Sequence, residues 1–131
     1  MSGSHRWCHR VLGVALAMVC LLVAVELAFA QDADATVTMQ NTLSFAPVTV
    51  HITPGQTVMW TNPTPLAHTV TADDGSFDSS DVNPDGTFSW LFDTPGTYQY
   101  YCQPHGSAGL YGMAATIIVD DPNAEEINPD R

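Results

Sequence analysis

Positive charge is almost missing from this chain. It carries 3 Lys and Arg side chains against 14 Asp and Glu, a formal net charge of −11. Arg6 and Arg10 stand near the start, so beyond residue 30 the one remaining base is Arg131. Without residues 1–30, 13 acids face that base and the formal charge is −12. Such a domain has no cationic face for nucleic acid or anionic membrane surfaces, and its field would instead steer it toward a basic partner. The same acids also serve solubility, and charge alone does not separate the two roles.

Cysteine is nearly as scarce. Of 3 cysteines, Cys8 and Cys20 precede residue 30, which leaves Cys102 without an intramolecular partner. Disulfide stapling is thereby excluded, and about 100 residues suffice to fold on an apolar core without it. A lone thiol in an exported domain must be buried, paired between chains or bound to something. Taken without its neighbours, Cys102 is equally well a structural core residue or a ligand.

A membrane-length apolar run is also lacking. The uncharged stretch Val11 to Val25 is 15 residues long, short of the roughly 20 that span a bilayer. Preceded by Arg6 and Arg10 and followed by Ala28-Phe29-Ala30, it reads as a secretory signal cleaved after Ala30, with an uncleaved anchor as the competing reading. Cys20, preceded by Val19 and followed by more apolar residues, reads as an ordinary leader residue and not a lipidation site. The expected organisation is a signal peptide over 1–30, one domain over 31–121 and an acidic tail over 122–131. The protein is then exported, periplasmic or otherwise extracytoplasmic, and touches a membrane only if the leader is retained.

Beyond Ala30 no segment has helical periodicity. Val37 and Met39 alternate with polar residues, as do Val48, Val50 and Ile52, then Val58 and Trp60, then Phe88, Trp90 and Phe92, then Tyr98 and Tyr100. A β-branched run, Thr116 to Val119, ends the pattern. Turn signals separate these stretches: Thr53-Pro54-Gly55, Asn62-Pro63-Thr64-Pro65, Asp73-Asp74-Gly75, Pro84-Asp85-Gly86 and Thr94-Pro95-Gly96. Short strands so punctuated argue for an antiparallel sandwich or barrel.

Strand parity places the chemistry-bearing side chains, since residues two apart share a face. Tyr98, Tyr100 and Cys102 share the inward face and Tyr101 points out; His68 shares parity with Val70 and also turns inward. His51 alternates with Val50 and Ile52 and falls on the surface. From Cys102 to Met113 the chain reads as a loop joining two strands, with Gly106, Gly109 and Gly112 supplying turns. Cys102, His105 and Met113 from that loop, with His68 from elsewhere, form a soft sulfur, two imidazoles and a thioether. That set suits both oxidation states of copper in a mononuclear electron-transfer site. Alone, Met113 would be core packing and His68 a satisfied loop histidine; together the four are specific.

In order and content these pieces resemble the cupredoxins of the plastocyanin, halocyanin and pseudoazurin group, over nearly all of 36–119. The matching motifs are Ser44-Phe45-Ala46-Pro47, Pro54-Gly55-Gln56-Thr57-Val58, Trp60-Thr61-Asn62, His68-Thr69-Val70, Gly86-Thr87-Phe88, Pro95-Gly96-Thr97-Tyr98 and Tyr101-Cys102-Gln103-Pro104-His105. The resemblance implies an all-β, antiparallel Greek-key β-sandwich of about eight strands. It makes His68, Cys102 and His105 the equatorial ligands of one type 1 copper ion and Met113 the axial one. Seven residues separate His105 from Met113 here, where plastocyanins usually have four; in the shorter register Leu110 would stand at the axial position. The Gly112-Met113 entry to the last strand favours Met113.

The same resemblance implies that the Thr69 N–H donates to the Cys102 sulfur, that Asn62 helps fix the ligand loops, and that the Ala67 carbonyl is a distant axial oxygen. It implies a small apolar docking face of Leu66, Ala108 and Leu110 around His105, and a second route through Tyr101 near the acids Asp73 and Asp74. The expected function is one-electron transfer between larger redox complexes, a cytochrome or a membrane complex with a basic docking face, by a monomer that is not an enzyme. A copper storage or delivery protein is the alternative, which the few methionines beyond residue 30, Met39, Met59 and Met113, disfavour. A copper enzyme would need further histidines, and His51 is the only one left beyond residue 30. A dinuclear centre would need a second cysteine, and thioether is a poor ligand for zinc.

Overall fold

The structure, a computed structural model, describes residues 32–124. The expected leader and most of the expected acidic tail lie outside the described residues. Among the described residues there is no helix, and eight strands form two four-stranded sheets. The strands are β1 (Ala35–Gln40), β2 (Ser44–Ala46), β3 (Thr49–Ile52), β4 (Gln56–Thr61), β5 (Thr71–Ala72), β6 (Thr87–Phe92), β7 (Gly96–Ser107) and β8 (Tyr111–Val119). One sheet has the order β2-β1-β4-β6 and the other β3-β8-β7-β5. The expected β-sandwich is the observed fold.

Period-two burial builds the sandwich. β3 buries Val50 and Ile52 and exposes Thr49 and His51, and β8 buries Met113, Ala115, Ile117 and Val119. Tyr100 and Cys102 in β7 are fully buried, as their parity requires. Trp60 of β4 is the centre of the core: its ring meets Tyr100 edge-on at 5.4 Å across the sheets and lies 5.6 Å from Phe88 and 6.1 Å from Phe77. Aromatic pairs favour such tilted and edge-to-face arrangements. At the expected Thr53-Pro54-Gly55 turn, Gln56 N–H donates to the Thr53 carbonyl at 3.2 Å, and Gly55 takes φ 88°, a conformation only glycine adopts without strain.

The structure departs from simple alternation in two respects. The antiparallel arrangement holds for β1–β2, β4–β6, β5–β7 and β7–β8, but β1–β4 and β3–β8 run parallel. β4 reaches β1 only after the chain has passed through the other sheet at β3, and it returns in the direction of β1. Trp90, expected inward with Phe88 and Phe92, is 38% exposed. It lies on the edge strand β6, where the opposite sheet covers it incompletely, and its ring rests against Phe77 at 5.6 Å.

Replacing the central ring should be costly. Trp60→Ala is expected to destabilise the metal-free protein by about 3–5 kcal/mol. Val48→Ser, at a site 61% exposed, should change stability by no more than about 0.5 kcal/mol. Urea denaturation followed by circular dichroism measures both.

Candidate metal centre

The β7–β8 ladder runs without a break from Gly96↔Val119 to Tyr101↔Ala114, then resumes at Gly106↔Gly112 and ends at Ser107↔Tyr111. Between those registers Cys102, Gln103, Pro104 and His105 stand against Met113 alone, a large bulge in β7. Pro104 has no N–H to give to a ladder, which suits it to the interruption. The ladder can resume only because glycines face each other. A Cβ on Gly106 would lie 2.6 Å from the Tyr111 carbonyl oxygen, and one on Gly112 would lie 2.5 Å from that of His105. The expected loop from Cys102 to Met113 is thus two strand ends with a short tip.

His68 enters from outside this hairpin. It forms an isolated bridge with Val82, through His68 N–H to the Val82 carbonyl at 3.2 Å and Val82 N–H to the His68 carbonyl at 2.7 Å. Its side chain is fully buried, as is that of Cys102, while His105 is half-buried. Their donor atoms converge: Cys102 Sγ lies 3.6 Å from His68 Nδ1 and 3.4 Å from His105 Nδ1, and the two Nδ1 atoms are 3.2 Å apart. A point equidistant from all three is about 2.0 Å from each, the length of a metal–imidazole bond. Two imidazoles and a thiol so arranged fit a first-row ion with an affinity for soft donors.

The surroundings hold these atoms in place. The Thr69 N–H donates to Cys102 Sγ at 3.3 Å, the bond expected from the resemblance. Thr69 Oγ1 accepts from the Gln103 N–H at 2.8 Å, which ties the bulge to the His68 segment a second time. Burial first, and then the positive charge that His105 can carry, lower the His68 pKa, so its ring is held neutral with a lone pair for a metal.

On the far side of the ring, His68 Nε2 lies 3.0 Å from Thr64 Oγ1. With Nδ1 as the donor to a metal, Nε2–H donates to Thr64, whose hydroxyl donates to Asn62 Oδ1 at 2.7 Å. The Asn62 amide nitrogen in turn donates to the Leu66 carbonyl at 2.7 Å and the Val82 carbonyl at 2.8 Å. Asn62 therefore ties together the backbone on either side of His68. Thr64 was hidden within Asn-Pro-Thr-Pro, whose prolines signal only a turn; its burial, at 3% exposed, was not legible from that pattern.

The other candidates separate cleanly. Met113 is 1% exposed and opposes the bulge, whereas Leu110 is 47% exposed at the hairpin tip with φ 64°. His51 is exposed and pairs with Asp120 at 3.3 Å, away from the donor cluster. Removing the Thr64 hydroxyl while keeping its shape, by Thr64→Val, should weaken Cu(II) binding by about 10–100-fold. Thr64→Ser should retain it, and competition titration against a chelator gives both values.

Comparison with known proteins agrees with this geometry. The model of the copper-binding proteins of the plastocyanin/azurin family matches residues 32–120. The chloroplastic plastocyanin of Chlamydomonas reinhardtii is 32% identical over 117 residues, covering 78% of this chain and 76% of that one. The chain spans about half the length of several further plastocyanins it matches, 49% in one case and 50% in another. Among solved structures, a purple cupredoxin from Nitrosopumilus maritimus superposes with a TM-score of 0.57 at 22% identity, over 66% of this chain and 100% of that one, a likeness of fold. A copper-containing nitrite reductase from Thermus scotoductus gives a TM-score of 0.58 at 25% identity, over 67% of this chain and 22% of the enzyme. With a family match over most of its length and three converging donors at the expected positions, the chain belongs to the plastocyanin/azurin family of copper-binding proteins.

Proposed function

We propose that this protein is an exported one-electron carrier with a single type 1 copper site, in which His68, Cys102 and His105 are the equatorial ligands and Met113 the weak axial one. The observation that carries this reading is the convergence of one sulfur and two imidazole nitrogens to 3.2–3.6 Å of one another, two of the three side chains being fully buried. Bound copper would supply a one-electron Cu(I)/Cu(II) couple. The protein's part is to keep the donors still. Cys102 is pinned by the Thr69 N–H, His68 by Thr64 and Asn62, and His105 by the close glycine pair beyond it. A site so braced needs little rearrangement between oxidation states.

Burial and register support Met113 as the axial neighbour. It is the one residue of β8 opposite the bulge, whereas Leu110 faces solvent at the tip. His105 is the half-buried ligand and so the exit for the electron; exposed Leu66, Ala108 and Leu110 would form the apolar face around it. A basic redox partner is drawn by the acidic surface, and the protein works outside the cytoplasm as a monomer.

The storage and enzyme readings find less support in the residues. Met39 is fully buried in β1 and Met59 half-buried in β4, so neither offers a surface thioether for handing copper on. Beyond the two ligand histidines, His51 is the one other histidine among the described residues, exposed and engaged with Asp120. Among the described residues, His68, Cys102 and His105 are the one group of metal-ligating side chains that converge, which favours a single metal.

Cys102→Ser should abolish the intense visible absorption of the copper-loaded protein while circular dichroism shows the fold retained; a variant that stayed blue would refute the ligand assignment. Met113→Leu should raise the reduction potential and Leu110→Met leave it unchanged, and voltammetry showing the reverse would move the axial position to Leu110. Raising ionic strength should slow electron transfer to a basic partner, and an unchanged stopped-flow rate would remove the steering role of the acids.

A further inference from the structure

The acids of the turn after β5 are not equivalent. Asp74 is exposed, accepts from the Ser76 N–H at 2.9 Å within its own turn, and is held below the usual carboxylate range by the hydroxyl and backbone bonds of Ser76. Asp73 is half-buried and reaches across to another element. Its Oδ2 accepts from the Gly109 N–H at 2.7 Å, 36 residues on, at the tip of the β7–β8 hairpin. Its Oδ1 is shielded from solvent and has no partner among the described residues. Its own N–H donates to the Gln99 carbonyl at 2.9 Å, which fixes the Asp73 backbone to the strand that carries Cys102. Gly109 and Leu110 both have positive φ, 85° and 64°, so the tip is a sharp turn whose amide is fastened by a charged acceptor.

We infer that Asp73 is a positioning residue for the metal centre. It clasps the tip of the hairpin whose two sides carry His105 and Met113, so the longer spacing between them does not leave the tip loose. A carboxylate that served only as docking charge would be solvated as Asp74 is; this one gives up solvent around one oxygen to hold a backbone amide with the other. The inference rests on the copper-site reading above, and its test separates the two.

Asp73→Ala, Asp73→Asn and Asp74→Asn are compared with wild type in two measurements. The first is hydrogen exchange at the Gly109 amide in the metal-free protein; the second is copper release to a chelator, with the reduction potential, in the loaded protein. Asp73→Ala should speed Gly109 exchange and release copper about tenfold faster, with a shifted potential. Asp73→Asn, whose amide oxygen can accept the same bond, should restore both, and Asp74→Asn should change neither. Copper release and potential unchanged in Asp73→Ala would overturn the positioning role even if Gly109 exchange rose. An equal effect from Asp74→Asn would also overturn it, since charge and not the bond would be acting. Wild-type Gly109 exchanging at the unprotected rate would refute the clasp without any variant. A wild-type protein that bound no copper would instead overturn the reading of the site, while Gly109 exchange still reported on the clasp.

Discussion

The metal centre depends on one interruption of a β-ladder. Were β7 and β8 paired without a break, Cys102 and Gln103 would take successive places on opposite faces and His105 would point away from the sulfur two residues after Gln103. Instead four residues occupy the space of one, and the thiol stays inside while His105 folds back to within 3.4 Å of it. The interruption is closed off by Gly106 and Gly112, which approach too nearly for any side chain. Two glycines thus set the positions of the converging donors although they offer no donor atom themselves. A bulge also fixes what lies opposite it, and that residue is Met113.

A second constraint is the row of buried polar groups that runs beneath the site. Asn62, Thr64, His68, Thr69 and Thr71 are all buried, and such groups are costly unless each has a partner. Each has one here. Thr64 joins Asn62 to His68, Thr69 joins the His68 segment to Gln103, and Thr71 joins Thr69 to Asp78 at the surface. A connected network of this kind has few alternative arrangements, because moving one member strands its neighbours. Rigidity of the donors is then a property of the chain before any metal binds. For the electron carrier proposed above, which would change oxidation state without changing shape, it is the relevant property.

How much of this was legible in the sequence depended on which rule each residue obeyed. Cys102 and His51 obeyed period two, so their inward and outward placement was readable from neighbours. The turn at Gly55 was readable because proline and glycine at adjacent positions restrict φ in one way. Strand direction was not readable, since alternation says which face a residue takes and nothing about which way its partner runs; hence the parallel β1–β4 and β3–β8 pairs. The glycines after His105 were legible as glycines but not as a paired approach, for a turn and a tight ladder make the same demand on composition. Thr64 and Asp73 were opaque for different reasons: the burial of Thr64 is set by the packing around it and not by Asn-Pro-Thr-Pro, and no local pattern encodes the partner of Asp73, 36 residues away.

Charge and geometry divide the work of the molecule, and at Asp73 they meet. The excess of acids acts over distances comparable to the screening length, about 8 Å at physiological salt, and so would govern encounter with the basic partner proposed above. The three converging donors are governed by contacts of hydrogen-bond length, with His68 and Cys102 in the buried core and His105 at its edge. Asp74 belongs only to the first regime: it is fully at the surface and is held below the usual carboxylate range by the bonds of Ser76 in its own turn. Asp73 belongs to both, for it adds to the same acidic turn while its carboxylate holds the hairpin tip. A partner that neutralised the turn would therefore compete for an oxygen already in use. Under the inference drawn above, a contact with Asp74 would leave the hairpin tip as it is, whereas one that engages Asp73 would bear on the hairpin that carries His105 and Met113.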